Sequence, residues 1–419
     1  MASSVLDRFL RYVAYDTQSR EDATTYPSTP GQLVLLRDLV LELRAMGIAD
    51  ADMDVHGYVM ATIPATTAKP NVPVIGVIAH VDTSPEMSGA DVQPIVHRAY
   101  DGRDLVLPDD PEAVLRVADS PYLGECLGHD IVTASGTTVL GADNKSGVAA
   151  IMTAAAYLMA HPEIPHGAIR IGFTPDEEVG HGTEHFDVAR FGARYAYTMD
   201  GGPRGELEYE SFSADAITFA FRGFNTHPGY AKGRMVNAIK LAARFIDRLP
   251  PDRLSPETTS LREGFVHPYA MQAAVDRTTV KLIVRDFDTA ALLEKASWLR
   301  TLAQGVVAEV PGASVDVQVE EQYRNMREVL DQQPLVVDRA RDAITRAGLQ
   351  VRERAIRGGT DGSRLSFMGL PTPNIFVGEQ NFHSRLEWVS VQDMEKAVDV
   401  VVELAKVWEE GACTVDTDQ

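Results

Sequence analysis

Cysteine is nearly absent from this chain, which has only two in 419 residues. Cys126 and Cys413 form neither a CxxC pair nor the framework of paired cysteines that marks disulfide-rich secreted proteins. The sequence therefore predicts a protein of the reducing cytoplasm. A metal ion would have to be bound by carboxylate oxygen and imidazole nitrogen.

Long hydrophobic runs are missing as well. No apolar stretch approaches the ~18–20 residues that a membrane span requires, and the polar, charged N-terminus predicts no signal peptide. Basic residues are in deficit, because 39 Lys and Arg stand against 60 Asp and Glu, for a net charge of −21. So acidic a surface argues against nucleic acid and anionic membranes as partners.

The sequence does contain the alternation of strands and helices that is typical of an α/β protein. At 419 residues the chain is too long for one ordinary core, so we expect two domains. Strands and helices alternate up to about residue 210, with a helix at Gly141–Ala160 and an excursion at Pro94–Asp130 that forms surface insertions or a hairpin. The same alternation returns after residue 325, with a strand at Leu349–Ile356, a glycine-rich loop and a last helix at Val391–Trp408.

The stretch between these two parts has a different order of elements. We predict strands at Ala216–Arg222, Val266–Ala273, Thr278–Arg285 and Ser314–Glu320, and helices at Met235–Leu249 and Thr289–Val310. This βαββαβ order is ferredoxin-like, and the stretch is long enough to fold as an inserted α+β domain. The predicted domains are 1–211 and 325–419 for a discontinuous first domain and 212–324 for the insert.

Seven acidic and imidazole residues end or follow apolar runs: His80, Asp82, Asp143, Glu177, Glu178, Asp200 and His383. The continuous Val and Ile run at 72–81 predicts a strand buried on both faces, and residues two apart in a strand point the same way. Ligands of open α/β sheets bind beyond the carboxyl ends of the strands. Because carboxylates gathered there repel one another unless cations lie between them, we predict a metal site.

Each of these residues also has an ordinary explanation when taken singly. Asp143 could cap a helix, Asp200 before two glycines could form a turn, and adjacent glutamates are usually solvated. Taken together, these explanations would require five coincidences at the ends of core strands. The metal site is therefore the favoured interpretation.

Four segments carry a family resemblance: Ala79–Asp82, Leu140–Gly147, Phe173–Gly180 and Tyr197–Gly202. They resemble the co-catalytic zinc peptidases related to aminoacylase and carboxypeptidase G. Three further segments are similar to the tripeptide aminopeptidases of that family: Asn225–Gly233, Ile356–Gly362 and Gly369–Phe376. The resemblance covers nearly the whole chain. It implies a three-layer α/β catalytic domain with a mixed sheet, and a ferredoxin-like lid domain.

The resemblance also implies a set of metal ligands. His80 and Asp200 would bind one ion, Glu178 and His383 the other, and Asp143 would bridge them. We expect two Zn²⁺ per subunit, although Mn²⁺ or Co²⁺ would also suit these ligands.

Further residues are expected to serve catalysis and substrate binding. By resemblance, Asp82 would orient His80, Glu177 would be the general base, and His227 would contact the oxyanion or the substrate. Arg357 leads a glycine-rich loop and would bind a peptide carboxylate, as arginine forks do. Arg285 could equally be a substrate contact or an ordinary ion-pair residue.

Three positions depart from the family pattern. Asn144 stands where a second aspartate is usual, and we expect it to alter metal affinity. Glu379 and Ser384 replace glycines near the last ligand, and we expect them to reshape the pocket entrance.

The predicted function is a tripeptide aminopeptidase that uses water activated by two metal ions. The alternatives on the same scaffold are a dipeptidase, a carboxypeptidase or an N-acyl amino acid deacylase, and a non-catalytic metal-binding relative is a further one. The presence of Glu177 argues against the last. Small peptides are the expected partners, and a homodimer is compatible with the sequence.

Overall fold

The computed structural model describes residues 3–414, with side chains described up to Ala412, so the side chain of Cys413 lies outside the described part. The helices of two turns or more and three shorter ones are α1 Val5–Tyr12, α2 Pro30–Ala45, α3 Ala142–Ala160, α4 Val188–Phe191, α5 Ala238–Asp247, α6 Thr289–Ala308, α7 Arg327–Leu330, α8 Pro334–Arg346, α9 Asp361–Phe367 and α10 Val391–Glu410. Among these helices, none combines the length and the apolar character that a membrane-spanning segment requires.

The strands are short in the first part of the chain and longest between residues 213 and 323. They are β1 Asp52–Met53, β2 Val59–Ile63, β3 Ile75–His80, β4 Ile95–His97, β5 Leu105–Val106, β6 Val114–Leu115, β7 Ile131–Thr133, β8 Ile169–Thr174, β9 Tyr195–Gly201, β10 Glu206–Ser211, β11 Ser213–Arg222, β12 Phe265–Ala273, β13 Arg277–Asp286, β14 Ser314–Tyr323, β15 Arg352–Ile356, β16 Asn374–Phe376, β17 Glu379–Gln380 and β18 Trp388–Ser390.

The chain divides into two compact units. The first contains the chain up to Tyr209, Met326–Arg354 and the chain from Thr360 onward, and the second contains Glu210–Asn325 and Ala355–Gly359. The domain bounds 1–211, 212–324 and 325–419 stay a prediction.

The first unit is built on a mixed eight-stranded sheet with the order β1-β2-β8-β3-β9-β16-β10-β15. β3 is parallel to both β8 and β9, whereas β2 is antiparallel to β8 and β10 is antiparallel to β16. All six residues of β3 are buried, as its run of apolar residues predicts. The carboxyl ends of β3, β8 and β9 therefore meet at one edge of the sheet. The predicted α/β class with a mixed sheet is confirmed.

The second unit has the predicted ferredoxin-like order. Its strands pair antiparallel in the order β12-β13-β11-β14, and α5 and α6 pack on them. Buried side chains from the sheet and both helices form its core, among them Phe219, Phe245, Leu282 and Leu292.

Several predicted boundaries were wrong, each for a local reason. The helix predicted at Met235–Leu249 begins only at Ala238, because Val236 forms a β-bridge with Phe224 and the Asn237 side chain caps the helix. The strand predicted at Leu349–Ile356 begins at Arg352.

Other elements were missed because their sequences are short. The glycine-rich loop after residue 356 contains α9, whose first turn is capped by Thr360. The excursion at Pro94–Asp130 contains the hairpin β5–β6, one of the two forms predicted for it, and also contributes the unpredicted β4 to a small sheet with the order β17-β18-β7-β4. β10 and β18 were not predicted at all.

Candidate metal centre

The imidazole of His80, at the end of β3, lies among three carboxylates. Its Nδ1 is 3.3 Å from Oδ1 of Asp82, and its Nε2 is 3.0 Å from Oδ1 of Asp143 and 3.4 Å from Oδ1 of Asp200. The side chain is only 2% exposed. Nδ1 is closer still to the backbone carbonyl oxygen of Asp82, at 3.1 Å. Because Asp82 thus occupies one ring nitrogen, the other is directed at Asp143 and Asp200, as in ligand imidazoles whose second nitrogen is held by a carbonyl or carboxylate oxygen.

The carboxylate of Asp82 also binds the loop that carries Glu177 and Glu178. Its Oδ1 accepts the backbone N–H of Glu177 at 3.0 Å, and its Oδ2 accepts that of Glu178 at 3.1 Å. The side chain is fully buried. Asp82 thus holds the His80 ring beside its carbonyl oxygen and carboxylate, and its carboxylate also holds the loop that follows β8.

His383 reaches the same cluster from far along the chain. Its Nε2 is 2.8 Å from Oε2 of Glu178 and 3.3 Å from Oδ2 of Asp143, and its Nδ1 is 2.8 Å from Oε2 of Glu86. Oε1 of Glu178 is buried and has no hydrogen-bond partner within the described residues. Asp143 therefore presents one oxygen to each of two imidazoles, since its Oδ1 faces His80.

The loop that carries Asp143 is fastened by a residue that the sequence analysis missed. Glu387 is 1% exposed. It accepts the backbone N–H groups of Leu140 and Gly141 on Oε2 at 2.7 and 2.8 Å, and that of Asp143 on Oε1 at 2.9 Å. Charge-assisted bonds of this kind are strong and hold a loop in place. The only sequence signal is the position of Glu387 four residues after His383, which has no discriminating power.

Glu379 is a further carboxylate of the cluster. Carboxylate oxygens of Asp143, Asp200 and Glu379 lie within 4.8 Å of one another, as do a ring nitrogen of His80 and oxygens of Asp143 and Glu178. We expected Glu379 at the pocket entrance, but it is 3% exposed. Its strand, β17, is drawn into the interior by antiparallel pairing with β18.

The other two departures from the family pattern serve local structure. Oδ1 of Asn144 accepts the N–H of Gly147 in the first turn of α3 at 3.1 Å. Oγ of Ser384 donates to the carbonyl oxygen of Asn381 at 2.6 Å and accepts the N–H of Leu386 at 3.2 Å. Ser384 thus stabilises the turn that carries His383. The effects of Asn144 and Ser384 on metal affinity and on the pocket stay predictions.

The pKa values show how strongly the buried carboxylates repel one another. Burial and the charge of Asp143 raise the pKa of Glu178 to about 8. Burial alone would lower the pKa of His383, but hydrogen bonds to Asp143 and Glu178 raise it to about 11. Burial raises the pKa of Glu177 well above its usual range, against the opposing charge of His80. Without a cation the cluster holds protons that a bound metal ion would displace.

Asp361 is another buried carboxylate that the sequence analysis did not single out. Its Oδ2 accepts the hydroxyl of Thr174, the last residue of β8, at 2.7 Å. Burial raises the pKa of Asp361 to about 6, although the bond from Thr174 opposes this. Its negative charge also contributes to the raised pKa of Glu177.

His227 belongs to the second unit and is exposed there. Its Nδ1 accepts the N–H of Gly229 at 3.2 Å, which places it at the start of a short 3₁₀ turn. Its ring lies 5.3 Å from that of Tyr230, centroid to centroid. The turn therefore occupies Nδ1 of His227.

Arg285 and Arg357 lie together in the second unit. Nη1 of Arg357 donates to the carbonyl oxygens of Leu261 at 2.7 Å and Glu263 at 2.9 Å, and Nη1 of Arg285 donates to the carbonyl oxygen of Arg357 at 3.3 Å. Nε of Arg285 is buried without a hydrogen-bond partner among the described residues. Both guanidinium groups lie 5.8 Å from the centre of the Phe265 ring. Arg357 thus already stabilises the loop at residues 261–263, whereas Nε of Arg285 is a donor without a partner among the described residues.

Comparison with known proteins gives long matches. Residues 140–407 match the profile of peptidase family M20/M25/M40. The chain is 48% identical to Peptidase T of Geobacillus sp. (strain WCH70) over 412 residues, which are 98% of this chain and 100% of the relative. It is 47% identical to Peptidase T of Bacillus subtilis over 409 residues, 98% of this chain and 99% of the relative.

Two solved structures share the fold. One is the aminopeptidase PepT from Bacillus cereus, with a TM-score of 0.73 and 22% identity, covering 96% of this chain and 98% of that one. The other is a tripeptidase from Staphylococcus aureus, with a TM-score of 0.74 and 21% identity, covering 97% and 98%. The predicted resemblance and the prediction of a peptidase are confirmed by these matches. The chain belongs to peptidase family M20/M25/M40. The two relatives described above, with 48% and 47% sequence identity, are Peptidase T proteins.

Proposed function

We propose that this peptidase releases the N-terminal residue of tripeptides at a centre of two divalent metal ions. The observation that carries the proposal is the convergence of two imidazoles and two further carboxylates around the carboxylate of Asp143. Its similarity to Peptidase T proteins over nearly its full length supports the same reaction.

The donor set fits metal ions. His80, Asp143, Glu178, Asp200 and His383 would hold them, and the unpartnered Oε1 of Glu178 is a buried acceptor without a donor among the described residues. Zinc suits such a mixture of imidazole and carboxylate, and Mn²⁺ or Co²⁺ would also bind. When bound, a pair of such ions activates water and polarises the scissile carbonyl.

Glu177 is the proposed general base. Its backbone is held by Asp82, so its carboxylate is kept beside the ligands without being needed as one. Its raised pKa, caused by burial against the charge of His80, suits a group that must take a proton from water and then deliver it to the leaving amine. Asp82 acts through His80 and through this loop and is a positioning residue.

The second unit would supply the substrate contacts. His227 would donate from Nε2 to the developing oxyanion, in the manner of other imidazole donors. Arg285 and Arg357 would bind the C-terminal carboxylate of the tripeptide, since guanidinium groups match carboxylates. An enzyme that recognises both charged ends in this way measures the length of its substrate.

A panel of peptides tests the proposal. Tripeptides with free termini should lose their first residue, and dipeptides, N-acylated peptides and C-terminally amidated tripeptides should be cleaved poorly. Release of the C-terminal residue would indicate a carboxypeptidase, and cleavage of N-acyl amino acids would indicate a deacylase. The Glu177→Gln variant with its metals in place is the control, because it should be inactive on every member of the panel.

Three finer points belong to the same proposal. We propose two ions per subunit, a cytoplasmic location and small peptides as substrates, with no binding to nucleic acid or membranes. A homodimer is compatible with this function. Size-exclusion chromatography with light scattering measures the oligomeric state directly.

A further inference from the structure

Asp176, the residue before the proposed general base, is a buried carboxylate to which the proposed function assigns no role. It is 1% exposed, and its backbone has a positive φ of 56°. Few residues with a side chain adopt such a φ, although aspartate tolerates it better than most. A conformation of this kind persists only where the surrounding structure holds it, and such positions are frequent at active sites.

Two residues at the start of α2 hold Asp176 in place. Nε2 of Gln32 donates to Oδ1 of Asp176 at 2.7 Å, and Oε1 of Gln32 accepts the backbone N–H of Asp176 at 3.0 Å. The backbone N–H of Ser28 donates to Oδ2 at 2.6 Å, and the Ser28 hydroxyl donates to Oδ1. Gln32 is fully buried, and Ser28 is 8% exposed. The side chain and the backbone of Asp176 are therefore both fixed to α2.

The backbone on the other side of the base is fixed as well. Asp82 accepts the N–H of Glu177 at 3.0 Å, and the carbonyl oxygen of Glu177 accepts the N–H of Gly180 at 2.7 Å. Glu178 has a separate anchor for its side chain, since its Oε2 is 2.8 Å from Nε2 of His383. The bonds to Asp176 are thus the ones that set the backbone immediately before Glu177.

We propose that Gln32, Ser28 and Asp176 are positioning residues for the general base, and that they direct the Glu177 side chain without touching metal or substrate. The inference rests on the proposed role of Glu177 and deepens it. A general base must lie within hydrogen-bond reach of the proton that it takes. Because a displacement of about 1 Å can cost on the order of 10²-fold in rate, loss of the network should lower kcat.

Gln32→Met tests the proposal, because methionine has a similar shape and lacks the amide that binds Asp176. With two metal ions bound, this variant should lose roughly 10–100-fold in kcat on a free tripeptide, while KM and metal content stay as in the wild type. Ser28→Ala removes only the hydroxyl bond and should lose roughly two- to tenfold. It decides the question if Gln32→Met does not fold, which thermal unfolding of each variant shows.

Gln392→Met is the matched control. Gln392 also lies in the first turn of a helix, α10, and its Oε1 accepts a backbone N–H, that of Asp130, at 2.9 Å. This variant should keep the kcat of the wild type.

A double variant separates positioning of the base from a general structural role. If Gln32 acts through Glu177, adding Gln32→Met to Glu177→Ala should change kcat less than about twofold, because the group that it directs is already gone. An effect on the whole site would multiply with that of Glu177→Ala.

The outcomes distinguish this inference from the proposed function. Unchanged kcat in folded Gln32→Met and Ser28→Ala would overturn the inference, as would a loss in the double variant as large as in the wild-type background. Loss of metal from Gln32→Met would also overturn it, because the network would then serve the ligand Glu178. Wild-type activity in Glu177→Ala alone would instead refute the general base of the proposed function, and the inference would fall with it.

Discussion

The two compact units hold their candidate functional residues in different ways. In the first, imidazole nitrogens and carboxylate oxygens lie 2.8–3.4 Å apart, and all of these side chains except that of His383 are largely buried. In the second, His227 is exposed and bonds to its own turn, and Arg357 donates to carbonyl oxygens of its own unit.

The difference shows which candidate residues are already arranged for a ligand in the chain without metal or substrate. Buried like charges are tolerated only where a cation or shared protons neutralise them. The carboxylate cluster of the first unit is therefore arranged as a metal site would be. In the second unit, Arg357 is already bonded to carbonyl oxygens, whereas Nε of Arg285 has no hydrogen-bond partner among the described residues. If Arg357 binds substrate as proposed, it must exchange an internal partner for the ligand.

The largest expected effect comes from removing the shared carboxylate. Asp143→Ala should abolish binding of both ions and reduce peptide cleavage to the uncatalysed background, because Asp143 contacts both His80 and His383. Elemental analysis and a peptide assay measure the two effects together. Asp54→Ala, which removes a carboxylate that accepts N–H groups in a distant turn, should keep both ions. Retention of two ions by Asp143→Ala would end the argument for a bridging role.

Removing the proposed base should have the next largest effect. Glu177→Ala should keep its metal ions and lose roughly 10²–10⁴ in kcat, the usual contribution of a general base. Glu178→Ala should instead lose metal, because its carboxylate contacts His383 and the cluster around Asp143. Equal metal loss in the two variants would contradict this division of roles.

Metal affinity should depend on pH, and the direction of the change follows from the raised pKa values of Glu178 and His383. Without metal, Glu178 with a pKa of about 8 and His383 with a pKa of about 11 both hold protons at neutral pH. A metal ion must displace them, so affinity should rise from pH 6 to pH 8, by about tenfold per pH unit for each proton released. Competition with a chromogenic chelator measures this. Affinity that stays constant over the range would show that the cluster holds no such protons.

The smallest expected effect belongs to the second unit. Arg357→Ala should slow cleavage of a free-acid tripeptide on the order of tenfold and leave the C-terminal amide nearly unchanged, because only the acid offers a carboxylate. Arg262→Ala is the control, since Arg262 pairs with Glu210 in the same unit. Both substrates should respond equally to that change. If Arg357→Ala also slows them equally, Arg357 is a structural residue, as its bonds to Leu261 and Glu263 allow.

The sequence was most informative where burial constrains it. The apolar run of β3 and the charged residues after it could be placed at a sheet edge because few other structures need such a run. The βαββαβ order of the second unit was equally readable, since its strands and helices are long.

The rest depends on contacts between residues distant in the chain. Glu387 fastens the Asp143 loop through three backbone N–H groups, and nothing near it in sequence marks that role. Glu379 was expected at an entrance, but it is 3% exposed and lies on β17, a strand of two residues that has no periodic signal. Short strands such as β18 have too few residues for a periodic signal.

One titration tests the central claim most directly. Metal-free wild-type chain is titrated with Zn²⁺ while release of the first residue of a free tripeptide is followed. The account predicts full activity only as the second equivalent per chain is bound, with a free amino acid and a dipeptide as products. Full activity at one equivalent or less, or release of the C-terminal residue, would contradict it.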